Sequence, residues 1–68
     1  MRYIPGTKFI NRTRKHTRYF QPGIVYTLKN IKIDPKTLKY IFTTDSKEDK
    51  EINFASTEEA DGFLDTMC

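Results

Sequence analysis

The residues best suited to chemistry lie in the polar stretch 11–18 and directly after it. Within seven positions there are four cations, and an aromatic residue follows: Arg12, Arg14, Lys15, Arg18 and Tyr19. Clustered Lys and Arg side chains bind phosphate backbones through counterion release, and Arg donates bidentate hydrogen bonds to phosphate. Aromatic rings beside such cations can stack on unpaired bases. The spacing predicts contact with nucleic acid, with a protein-binding loop and a merely solvated loop as open alternatives.

Residue patterns for catalysis or metal binding are missing from the sequence. The chain has one histidine, His16, and one cysteine, Cys68, too few for a Cys/His zinc site or a disulfide within the chain. It has no Ser/His/Asp arrangement, paired carboxylates, glycine-rich phosphate loop or EF-hand spacing. His16 lies among cations without an acid or nucleophile near it in sequence, which predicts a polar loop residue. We therefore expect a binding protein without cofactor or metal, and not an enzyme.

Charge divides the chain into halves of opposite sign. Residues 1–40 contain ten Lys or Arg and one acid, a net charge of +9, whereas residues 41–68 contain two Lys and eight acids, a net charge of −6. Lys8, Lys29 and Lys32 have the same sign as the loop cations and extend the predicted contact surface along a hairpin. The acidic half is expected to be a solvated face, a partner for the basic half of another copy, or a mimic of a phosphate backbone.

Length and composition are those of one small domain spanning residues 1–68, with 37% apolar residues, four Tyr and five Phe. No stretch is apolar enough for a signal peptide or a membrane span. A single terminal cysteine is typical of a free thiol in a reducing compartment. We expect a cytoplasmic protein, or one in a host's cytoplasm if a mobile element encodes it.

Alternating apolar residues predict strands that position the cations. A short strand over residues 7–10 precedes the long polar loop, and Pro5-Gly6 and Pro22-Gly23 predict turns. In the next strand the apolar residues change from even positions to odd positions near Lys29-Asn30: Ile24, Tyr26 and Leu28, then Ile31 and Ile33. Because side chains alternate with a period of two, this change predicts a bulge or sharp bend.

The remaining apolar residues predict two more strands and a helix. Asp34-Pro35-Lys36-Thr37 predicts a tight turn, and the stretch 45–50 predicts a solvated one. The inward residues of the two strands are expected to be Leu38, Tyr40 and Phe42, then Ile52 and Phe54. Ser56 and Glu59 fit a capping box, followed by one apolar helix face: Ala60, Phe63, Leu64 and Met67. The predicted fold is mainly β, a strongly bent antiparallel sheet or small barrel in the order β-loop-β-β-β-α.

This order resembles the Src-homology-3-type small β-barrels. The matching features are the long loop over residues 11–21 after the first strand, the Pro22-Gly23 turn and the hairpin over residues 24–43. Gly23-Ile24-Val25 also resembles the glycine-then-apolar start of the KOW motif in ribosomal and transcription proteins. The barrel resemblance implies an architecture and no particular ligand. In its style, a short Lys-, Tyr- and Ile-rich chain, the protein resembles accessory proteins of tailed phages.

Two function classes follow from these patterns. In the first, the chain is a binding module that contacts DNA or RNA through the basic loop, residues 12–18, and through the hairpin face that carries Lys29 and Lys32. In the alternative, it is a protein-interaction or inhibitory protein, acting on a host protein if a phage encodes it, through the basic loop or the acidic half. We expect a monomer or a weak, salt-sensitive homodimer, because exposed ion pairs contribute only about 0–1 kcal/mol each.

Overall fold

A computed structural model describes residues 2–15 and 17–67, so the expectations for His16 and Cys68 fall outside the described residues. Four antiparallel strands form one sheet, and one helix follows them. The elements are β1 (Lys8–Ile10), β2 (Val25–Ile33), β3 (Leu38–Thr43), β4 (Asp49–Phe54) and α1 (Thr57–Asp65). The predicted mainly β class and the predicted order of elements are confirmed.

Each strand pairs with the next, in the order β1-β2-β3-β4, so β1 and β4 are the edges of the sheet. The sheet is curled but not closed, and of the two predicted architectures the bent sheet is the correct one. With only three residues, β1 offers little edge for closure. None of the described helices is long and apolar enough to cross a membrane.

The Pro-Gly pairs form turns as predicted. Ile24 N donates to Gln21 O at 3.4 Å across Pro22-Gly23, and Gly23 has a φ of 84°. Pro5-Gly6 forms a second turn, in which Gly6 has a φ of 101°. Glycine adopts these left-handed angles without the steric penalty of a side chain, as the third position of a type II turn requires.

β2 contains a bulge at the predicted position. Leu28 pairs with Phe42, and the next pair is Asn30 with Ile41, so Lys29 is the extra residue. A single extra residue moves all later side chains to the opposite face of the sheet. The change from even to odd apolar positions in the sequence has its cause in this bulge.

Three details differ from the expectations. Ile33 is 69% exposed and not inward, because it lies beside the β2–β3 turn while β1 pairs only with the beginning of β2. Ile24 is 36% exposed, since it precedes β2 directly after a turn. β4 begins at Asp49, inside the predicted solvated turn, because Asp49 and Lys50 continue the pairing with β3.

One core joins the inner face of the sheet, the loop residue Phe20 and α1. Its buried members are Phe9, Phe20, Tyr26, Leu28, Leu38, Tyr40, Phe42, Ile52, Phe54, Ala60, Leu64 and Met67. The predicted inward residues of β3 and β4 are therefore confirmed. Burial of such a set of aromatic rings is the main favourable term in the folding of a domain this small.

α1 begins where the sequence predicts. The N-cap Ser56 accepts a hydrogen bond at its Oγ from Glu59 N at 3.1 Å. Glu59 Oε2 accepts from Ala55 N at 3.3 Å, one residue before the N-cap nitrogen that a full capping box would use. The apolar helix face packs on the core as predicted, with Phe63 partly buried beside it.

Candidate functional site

The basic loop, residues 12–18, is held in place by one buried amide. Asn11 is 1% exposed, and its Nδ2 donates to Lys15 O at 2.7 Å and to Phe20 O at 2.9 Å. Its Oδ1 accepts from Thr13 N at 3.0 Å and from Thr13 Oγ1 at 2.9 Å. Asn11 thus uses both donors and both lone pairs of its amide. One side chain thereby holds the loop backbone at three residues.

The end of the basic loop is held by the core. Phe20 is completely buried, with its ring 4.7 Å from that of Tyr26 and 5.0 Å from that of Phe42, both edge to face. Gln21 N donates to Tyr26 Oη at 2.9 Å. Lys50 Nζ at the start of β4 donates to Arg18 O at 3.4 Å. The segment that joins β1 to β2 is therefore attached to β4 at Arg18 and to the core at Phe20 and Gln21.

The loop cations carry uncompensated charge. Four side chains are exposed and form no ion pair within residues 2–15 and 17–67: Arg12, Arg14, Lys15 and Arg18. Acids of the C-terminal half pair with cations elsewhere: Arg2 with Asp65, Lys29 with Asp49 at 3.0 Å, and Lys39 with Glu51 at 3.3 Å. Three acids of the acidic half thus pair with cations outside the basic loop.

Three acids of the C-terminal half accept hydrogen bonds from residues of the basic half. Asp65 accepts hydrogen bonds from the Arg2 guanidinium and from Tyr3 Oη, while Asp61 accepts from Arg2 N at 3.3 Å. Hydrogen bonds from Lys29 and then from Thr43 hold the pKa of Asp49 below its ordinary value. Residues of the N-terminal segment and of β2 thus form the hydrogen bonds and ion pairs of these acids.

The lysines expected to extend the contact surface lie at different positions along the length of β2. Lys8 pairs with Thr27, the third residue of β2, near the end of the sheet at which the basic loop lies. Lys32 lies seven residues beyond Val25, where β1 ends its pairing, a separation of about 23 Å at about 3.3 Å per residue. Lys29 is engaged with Asp49. The predicted site therefore divides into the basic loop with Lys8 near one end of the sheet, Lys29 at the bulge in the middle of β2, and Lys32 toward the other end.

Tyr19 lies between the basic loop and the helix. Its ring packs edge to face against Phe63 at 6.0 Å, and the residue remains 39% exposed. Part of the Tyr19 ring therefore packs against Phe63 of α1, and the rest is exposed to solvent.

A cleft that the sequence does not predict lies beside the basic loop. It has a volume of about 240 Å³ and lies between the segment that follows Phe20 and the turn that joins β3 to β4. The signal that could have indicated it is Ile24, an apolar residue placed directly after a Pro-Gly turn, where no strand pairing covers it.

Two further features do not form part of a site. The described residues contain no group of three His, Cys, Asp or Glu side chains arranged to hold a metal ion. The buried Tyr40 Oη has no hydrogen-bond partner in the described part of the chain. Burial, and then the charge of Asp61, raise the pKa of Tyr40 above its ordinary value of 10.0. Tyr40 lies inside the core, so its hydroxyl affects stability and offers no exposed group.

Comparisons with known proteins yield no match to a family model, a curated protein or a solved structure. The resemblances to Src-homology-3-type barrels and to the KOW motif stay predictions. Function is therefore inferred from the geometry and charge of the described residues.

Proposed function

We propose that this chain is a non-catalytic module that binds nucleic acid through the basic loop. The observation that carries the proposal is the absence of ion-pair partners, within the described residues, for the four exposed cations of the loop. Phosphates are the natural counterions of such a cluster, since each contact releases condensed counterions from the nucleic acid. Arg, which supplies three of the four cations, also matches phosphate geometry with its planar fork.

The frame of the loop supports this proposal. Because Asn11 and Phe20 hold the backbone in place, binding orders fewer groups than it would on a free loop. Lys8 and Lys32, both exposed, extend the basic surface for a longer strand. Lys29 contributes less, because its ammonium group is engaged with Asp49.

The alternative is a protein partner that binds the same cations through an acidic surface. A role for the acidic half as a phosphate mimic is less favoured, because Asp49, Glu51 and Asp65 are paired within the fold. A pull-down from lysate with and without nuclease separates the two classes. We expect nuclease treatment to remove the captured material; a defined protein retained after nuclease would favour the alternative.

Fluorescence anisotropy over a salt series tests the proposal directly. A labelled single strand is expected to bind with a log–log salt slope of about −0.7 per phosphate contacted. In the double variant Arg12→Gln/Arg14→Gln, two fewer contacts reduce the magnitude of the slope by about 1.4. Lys36→Gln, an exposed cation in the β2–β3 turn, is the matched control and leaves the slope unchanged. An unchanged slope in the double variant would contradict the proposal.

A further inference from the structure

The cleft beside the basic loop has two walls. Gln21, Ile24 and Tyr26 come from the segment after the loop, and Thr44 and Ser46 come from the turn between β3 and β4. A second cleft adjoins the first and shares three of its lining residues: Ile24, Thr44 and Ser46. Ile24 therefore borders both spaces with an exposed apolar side chain.

The cleft is physically connected to the basic loop. Lys50, which lines the cleft, donates from Nζ to Arg18 O at 3.4 Å. On the opposite wall, Gln21 N donates to Tyr26 Oη at 2.9 Å, directly after the loop returns to the core. A polymer whose phosphates lie on the loop cations is thus adjacent to the opening of the cleft.

The chemistry of the lining indicates what part of such a polymer would enter. Ile24 provides an apolar wall, while Gln21, Thr44 and Ser46 provide amide and hydroxyl groups that donate and accept hydrogen bonds. Glu48 and Asp49 also line the cleft, and their negative charges disfavour a phosphate inside. The volume of about 240 Å³ admits a single ring system, and the adjoining cleft adds about 360 Å³ of open space on the other side of Ile24. A nucleobase is uncharged, planar and equipped with both donors and acceptors.

We propose that this cleft binds an unpaired nucleobase of a single strand whose phosphates lie on the basic loop. The inference rests on the proposed function and narrows it to single-stranded nucleic acid. In a duplex the bases are paired and stacked, and a base enters a protein pocket only after it is flipped out at a free-energy cost. Duplexes are therefore expected to bind through the loop alone.

Three probes with equal numbers of phosphates in the contacted strand test the inference: a single strand, an abasic single strand and a duplex. The single strand is expected to bind about tenfold tighter than the abasic strand, equivalent to about 1.4 kcal/mol and within the range for one stacked base. Equal binding of these two strands, with the salt slope intact, would overturn the base cleft and leave the proposed function standing. Absence of salt-dependent binding to all three probes would overturn both.

The variant Ile24→Ser locates the base. It is expected to lose the preference for the single strand over the abasic strand and to keep the salt slope, because the loop cations are unchanged. Ile33→Ser makes the same substitution at the exposed residue beside the β2–β3 turn and keeps the preference. Circular dichroism verifies that both variants fold. If Ile24→Ser keeps the preference and Tyr19→Leu removes it, the base stacks on Tyr19 and the cleft assignment is wrong.

Discussion

The two ends of the sheet both carry cations, but they differ in how they are attached to the core. At the loop end, residues 11–24, Asn11 and Phe20 are buried and hold the backbone from both sides. At the hairpin end, residues 29–39, Ile33 is 69% exposed, and one backbone hydrogen bond, from Asp34 N to Thr37 O at 2.9 Å, closes the turn. Buried side chains thus fix the backbone at the loop end, whereas the turn at the hairpin end is closed by its own backbone hydrogen bond.

The two ends also differ in how far acids neutralise their cations. At the hairpin end, Lys29 and Lys39 each face an acid of β4 and are partly neutralised. The cations of the basic loop form no ion pair among the described residues, although Glu48 and Asp49 line the cleft beside the loop. The number of cations alone therefore does not identify a binding site. What matters is whether acids of the same fold lie within reach and whether the backbone that presents the cations is fixed.

Phe20→Ala is expected to have the largest effect, a loss of about 3–5 kcal/mol in the free energy of unfolding, because it leaves a cavity among aromatic rings. A domain of this length has roughly 3–10 kcal/mol in total, so the variant will be largely unfolded. Ile33→Ala at the hairpin end is expected to change stability by no more than about 0.5 kcal/mol. Urea denaturation followed by circular dichroism measures both. Similar losses in the two variants would remove the distinction between the ends.

Asn11→Ala is expected to cost about 1–3 kcal/mol in the free energy of unfolding, because it leaves buried partners of the amide unpaired. Hydrogen exchange in the basic loop should become faster for the same reason. The matched control is Asn30→Ala, whose exposed Oδ1 accepts from Ile31 N at 2.8 Å in the bulge. It is expected to change stability by about 0.5 kcal/mol or less. A stable Asn11→Ala variant with a protected loop would contradict the role given to Asn11.

Two tyrosines of the inner sheet face provide a smaller and more selective test. Tyr26→Phe is expected to cost about 0.5–1.5 kcal/mol in the free energy of unfolding, because Gln21 N loses its acceptor. Tyr40→Phe is expected to be neutral or stabilising, because the buried hydroxyl it removes has no partner in the described residues. Thermal unfolding compares the pair. Equal destabilisation would show that the Tyr40 hydroxyl contributes as much as that of Tyr26.

The smallest expected effect is a pH dependence at Asp49. The Lys29 hydrogen bond lowers the pKa of Asp49 in the folded state below its ordinary value of 3.8. Its contribution to stability is therefore present above pH 3.8 and is lost as the pH falls through the lower folded-state value. Asp49→Asn is expected to reduce the loss of unfolding free energy at acid pH, measured by urea denaturation at a series of pH values from neutral to acid. Asp45→Asn, on the adjoining turn, is the control and is expected to leave this loss unchanged.

Most of the fold could be predicted from the sequence because its signals are local. The alternation in β3 and β4, the change of phase in β2 and the helical stripe in α1 each report which side chains face inward. Both Pro-Gly pairs report turns that require a positive φ. The start of β4 was missed, because pairing with β3 extends the strand into residues whose polarity favours a turn.

The candidate site was predicted in part. The basic loop is visible as a run of cations, since exposed residues need no partner to be recognised. Asn11 is one polar residue in a polar stretch, and only the folded backbone shows that it is buried with four hydrogen bonds. The cleft joins two segments about 20 residues apart in the chain, so no local pattern could reveal it.

The order of the elements, the inward residues of β3 and β4 and the opposite charges of the two halves follow from residue types and short spacings, which are properties of the sequence. Which charges meet depends on how the strands pair and where the termini pack. Antiparallel pairing places the acids of β4 beside Lys29 and Lys39, and the N-terminal segment brings Arg2 to Asp65 on α1. The cations of the basic loop are left without an ion pair among the described residues. Whether opposite charges compensate depends on distances of a few ångströms, and only the fold sets distances between residues far apart in the chain.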